Sequence, residues 1–158
     1  MIALSTILAA VNLNILNALE NTDYSKVEIV SKDFIDGIQR PSIRVLYNSN
    51  TGKFNRQLKE RILNIKILFY AEDKYNYKFA NIDMQDILEN AFLEDLFIQE
   101  GFYMPYCNSN GDVEGIQSEI VDGVLQCSFN LYSREEIYDD SNLEDIEDLE
   151  FDLNLEQE

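Results

Sequence analysis

The dipeptide Asp122-Gly123 constrains this chain more than any other local signal, because it favours a two-residue type I′ turn in which both central residues take positive φ. The runs on either side of it, Val113 to Val121 and Val124 to Tyr132, are able to pair. A hairpin is the consequence. In its second arm Leu125, Cys127, Phe129 and Leu131 recur at every second position, so one face of that strand is apolar and has to be covered.

A second strand of the same kind lies upstream. Between Asn55 and Tyr70, the residues Leu63, Ile65, Ile67 and Phe69 alternate with Asn64, Lys66, Leu68 and Tyr70, which predicts a central strand with one fully buried face. Pro41 fixes its own φ and turns Arg40 away from helix, so the chain enters a strand from Ser42 to Asn48 with Ile43, Val45 and Tyr47 on one face. The turn formers Asn48-Ser49-Asn50-Thr51-Gly52 predict the reversal between these two strands. Val27 to Val30 reads as a short first strand. Phe102 to Tyr106 reads as another, and Pro105 confines it to an edge or a strand end.

Helical spacing appears twice. Leu4, Leu8, Val11, Ile15 and Leu19 describe an amphipathic helix that packs on a sheet. Asn81 or Asp83 caps a second helix, with Met84, Ile87, Leu88, Ala91, Phe92 and Leu96 as its apolar stripe and an end near Gly101. With 158 residues, 46% of them hydrophobic, the chain suffices for one domain with a sizeable core. The expected fold is α+β, a single mixed or antiparallel sheet with two helices packed on one face, over residues 1–134. Residues 135–158 form an acidic, leucine-spaced C-terminal extension.

That extension carries most of the charge. Thirty acidic against twelve basic residues give −18, yet the twelve carboxylates between Glu135 and Glu158 meet no Lys or Arg there, leaving −6 for the rest. Such a balance argues against tight binding to phosphate backbones. Leu143, Ile146, Leu149, Phe151, Leu153 and Leu155 stand among these carboxylates, a composition that a partner orders. The one basic cluster is Lys53, Arg56, Lys59 and Arg61, with Phe54 among them. It reads as a solvated loop entering a strand, or as a contact for an acidic surface on a neighbouring subunit.

Chemistry has little to build on. The chain has no His, its six glycines form neither a Gly-x-x-x-x-Gly-Lys nor a Gly-x-Gly-x-x-Gly loop, and no calcium loop is spelled out. Cys107 and Cys127 make no CxxC pair, and Cys127 falls in the apolar alternation of its strand. No catalytic residue, cofactor site or metal site is assigned, and the expectation is a protein that is not an enzyme. The apolar start from Met1 to Val11 lacks the basic residues of a signal peptide, and no segment is long enough to cross a bilayer. A cytoplasmic site of synthesis is expected.

Three short segments, in order, carry a resemblance. They are Arg40-Pro41-Ser42 within Gly37 to Val45, the strand ending Phe69-Tyr70 followed by Ala71-Glu72-Asp73, and Ile120-Val121-Asp122-Gly123-Val124-Leu125. Together they resemble the tail terminator (tail completion) proteins of phages, prophages and phage-tail-like particles of Gram-positive bacteria. The resemblance runs from the first helix to about Tyr132. It implies a structural protein forming a ring, expected to be a hexamer, that caps the head-proximal end of a tail tube, stops its polymerisation and offers a surface to the neck. The implied partners are other copies of the chain, tail tube protein, neck or connector protein and, in contractile systems, sheath; DNA only passes through. The implied location is the host bacterial cytoplasm during assembly, then the tail or neck of the released virion or bacteriocin-like particle.

Candidate subunit or partner contacts on this reading are Arg40, Arg44, Lys53, Phe54, Arg56 and Lys59, together with Leu143, Ile146, Leu149, Phe151 and Leu153 in the extension. Two alternatives stand beside it. One is another neck or head-completion component. The other is an acidic inhibitor or DNA mimic, which the concentration of carboxylates after Glu135 disfavours.

Overall fold

The computed structural model describes residues 2–30, 37–55, 57–107 and 114–136. Helix α1 (Leu4–Leu19) opens the chain and buries Ile7, Val11, Ile15 and Leu19, a stripe at four-residue spacing. Strand β1 (Glu28–Ile29) follows and pairs in parallel with the start of β2 (Ser42–Phe54). Strand β2 turns back into β3 (Leu58–Tyr70), and the two pair antiparallel along their length. Helix α2 (Lys78–Ala91) crosses next. The small hairpin β4 (Leu96–Gln99) and β5 (Phe102–Met104) is a separate two-stranded sheet. Beyond Pro105, β6 (Tyr106–Cys107), β7 (Gln117–Val121) and β8 (Val124–Glu136) complete the main sheet.

The main sheet has the order β1-β2-β3-β8-β6, with β7 pairing on β8 as well. Only β1 is parallel to its neighbour, so the sheet is mixed. Strand β3 is central, flanked by β2 and β8. Its inward residues Leu63, Ile65, Ile67 and Phe69 are buried with Ile43 of β2 and with Leu125, Cys127, Phe129 and Leu131 of β8. Both helices supply the cover, because Ile7, Val11, Ile15, Met84 and Leu88 belong to the same core. This is the α+β fold with two helices on one face.

Polar atoms tie the layers together where backbone groups need partners. Asn14 in α1 donates from Nδ2 to the Ala91 carbonyl at 2.7 Å, satisfying one of the last carbonyls of α2. Asn81 is buried and donates to the Gly123 carbonyl at 3.1 Å, tying α2 to the β7–β8 turn. In that turn Asp122 has φ 51° and Gly123 φ 79°, the two positive values the sequence predicts. Phe92, Tyr106 and Phe129 close the far end of the core, with ring centroids 4.7 to 6.0 Å apart.

Two expectations are corrected. The reversal predicted at Asn48 to Gly52 is absent; β2 continues to Phe54, a bulge at Asn48 absorbs the irregularity, and the chain turns instead around Asn55. There Asn55 Oδ1 accepts from the backbone N–H groups of Gln57 and Leu58 at 2.9 and 2.7 Å, an Asx-type closure. Pairing along β3 outweighs the local turn preference. The second helix also differs: it starts at Lys78 and ends at Ala91, while Leu96 and Ile98 are inward residues of β4. Asn81 is inside the helix and bonds Gly123, so it is not the cap.

Candidate assembly interface

Strands β2 and β3 have 13 residues each, about 40 Å at the usual strand rise. Strand β1 pairs with β2 at Ser42 and Ile43, and Val30 N–H adds one bond to the Ile43 carbonyl. From Val45 to Phe54 the other edge of β2 has no strand partner among the described residues. An open edge of this length is a template for pairing with another chain. At its end Lys53 and Phe54 are exposed, Phe54 by 60%.

Close to the turn of this hairpin lies a buried ion pair. Arg61 Nη2 donates to Glu135 Oε1 at 2.5 Å and to the Ile2 carbonyl at 3.0 Å, and Ile2 N–H donates to Glu135 Oε2 at 2.7 Å. The two side chains are 3% and 9% exposed. One guanidinium thus joins the start of the chain, β3 and the end of β8. Sequence reasoning placed Arg61 among solvated basic residues and missed its partner. The signal was available in the alternation: Arg61 stands two residues before Leu63, and Glu135 four after Leu131, both in the inward phase. Beside the pair lies an apolar groove of about 330 Å³ between Ile2, Leu4, Asn50, Phe54, Lys59 and Arg61.

The other candidate contacts fall in different places. Arg40 donates from Nη1 to the Ala71 carbonyl at 2.8 Å and lies over the Tyr70 ring at 5.6 Å, so it locks the loop before β2 to the end of β3. Arg44 pairs with Leu68 in the register of β2 and β3. Lys53, Phe54 and Lys59 are brought together at the hairpin, where Lys53 pairs with Glu60 and Phe54 with Lys59. Arg56, Leu143, Ile146, Leu149, Phe151 and Leu153 lie outside the described residues. On the sheet face away from the helices, Asn64 donates to Asn130 at 2.8 Å and the Tyr132 hydroxyl donates to Glu60. That bond to Glu60, with burial second, raises the Tyr132 pKa.

The thiols are poorly placed for nucleophilic work. Cys107 and Cys127 are both free and buried. Burial pushes the Cys127 thiol up to about 11, opposed in part by its contact with the Ser118 hydroxyl, and burial raises Cys107 too. Among the described residues no three His, Cys, Asp or Glu side chains gather as a metal site requires. No helix among them is long and apolar enough to cross a membrane.

A helix-backed mixed sheet with a long open hairpin and a buried clamp near its turn defines a small α+β domain whose prominent surfaces suit contact with other chains. Comparison with known families agrees: the model for phage tail terminator protein matches residues 10–142, and the chain belongs to that family. None of the curated proteins matches it. Membership makes the chain a structural component of tail completion, acting with other tail components in the virion tail.

Proposed function

We propose that copies of this chain close into a ring, six subunits around, that caps the head-proximal end of a tail tube, ends its polymerisation and presents the docking surface for the neck and, in a contractile particle, for the sheath. The observation that carries this reading is the β2–β3 hairpin, whose edge from Val45 to Phe54 has no strand partner among the described residues and ends in an exposed Phe54. A heterologous contact repeated around an axis closes a ring when its rotation permits, and an open strand edge supplies such a contact. The acidity of the chain suits the wall of a channel through which a polyanion passes without adhering. Catalysis has no part in this role.

Electron microscopy of particles assembled without the protein tests the reading. Tails of irregular length, or tubes lacking a finished end, are expected. Tails of normal length and finish would sink it.

A further inference from the structure

Charge is segregated along this chain. Between Gly37 and Ala71 stand seven Lys or Arg and one carboxylate, Glu60, a net of +6. From Ile137 to Glu158 stand ten carboxylates and no Lys or Arg, a net of −10. The basic stretch is the β2–β3 hairpin with its flanks, and the acidic one is the extension that follows β8.

The hairpin also offers an apolar seat. Its groove sets Ile2, Leu4 and the exposed Phe54 ring beside Lys59, and Arg61 on its wall keeps a buried Nε with no hydrogen-bond partner among the described residues. An unsatisfied guanidinium donor is costly unless an acceptor reaches it. A segment that interleaves apolar side chains with carboxylates supplies both kinds of group. The extension has that composition, with Leu143, Ile146, Leu149, Phe151 and Leu153 among its acids.

The path of β8 favours a second copy as the owner of the groove. Strand β8 is antiparallel to β3 and runs towards the hairpin turn, its last residue Glu136 pairing with Leu58, the first of β3. The chain is therefore travelling outward where the extension begins. Filling its own groove would turn the chain back across β3, and 22 further residues, up to about 70 Å when extended, are long enough to reach a neighbour instead.

We propose that the extension 137–158 of one subunit docks on the β2–β3 hairpin of the next, its apolar side chains in the groove beside Phe54 and its carboxylates against Lys59, which lines the same groove. The docking rests on the ring reading above. It gives the ring a strap from each subunit to its neighbour, built from opposite charges and sensitive to salt.

Zero-length carbodiimide cross-linking of the full-length protein, prepared as a mixture of isotopically light and heavy chains, tests it. In the ring-sized fraction, Lys59 is expected to join carboxylates of residues 139–158 in mixed light and heavy pairs, and molar salt abolishes these links. The full-length variant K59E, folded as judged by circular dichroism, is expected to need about five-fold more protein for half-assembly, one surface pair being lost. Links confined to chains of one isotope, no links in a ring-sized species, or unchanged assembly of the variant overturn the docking and leave the ring standing. A protein that stays monomeric, alone and with tube protein, overturns both.

Discussion

Arg61 holds a charge at an inward position of β3 where every following inward residue is apolar, and it persists there because Glu135 and the Ile2 carbonyl answer it. Removing one partner of a buried pair leaves the other charge stranded. Arg61→Ala is therefore expected to lose about 3 to 5 kcal/mol in urea unfolding, while the double change Arg61→Met with Glu135→Met recovers most of that loss. Cys127 makes a second prediction. Its folded pKa of about 11 lies above the ordinary thiol value of 9.0, so the folded state keeps a proton the unfolded state gives up. Its contribution is intact below pH 9 and lost as pH rises towards 11, about 2 to 3 kcal/mol in all, which unfolding at stepped alkaline pH measures. Tyr106, raised chiefly by burial, acts in the same direction at still higher pH. The inward position of Cys127 was legible from the period of its strand. That of Arg61 was legible too, and a grouping by charge obscured it.

Among the elements, the hairpin β2–β3 shows how pairing outranks local composition. Asn48 to Gly52 has the residues of a turn, yet it lies in a strand because twelve positions of β2 find partners along β3 and one bulge absorbs the misfit. No single stretch of sequence announces that. Gly52 then has a specific need to be glycine: a Cβ there would stand 2.2 Å from the Glu60 carbonyl oxygen and 3.0 Å from the Phe54 ring. Gly52→Ala is expected to lose about 1 to 3 kcal/mol by forcing the two strands apart, and hydrogen exchange should localise the loosening to the hairpin rather than to α1 or α2. The second helix carries a related lesson. Leu96 extends the apolar stripe of α2 on paper, but Leu96 and Ile98 also alternate, and pairing with β5 settles them as strand. By contrast, the β7–β8 turn was written plainly in Asp122-Gly123, where chemistry at two positions dictates the backbone.

For the whole molecule, the layer arrangement was readable because the apolar alternation of β3 and β8 and the stripe of α1 each need cover and can find it only in one another. What another chain touches was less readable, since an exposed Phe54 or Lys53 looks the same in a sequence whether it meets solvent or a neighbour. The open edge of β2 brings those residues to one place, and tail terminator membership supplies the context in which a closed assembly has a use. The native mass of the purified protein, alone and mixed with tube protein, tests that claim most directly. Six copies of an 18.4 kDa chain predict a species of about 110 kDa in at least one of the two samples. A mass of one subunit in both, across the accessible range of concentration, would contradict the account.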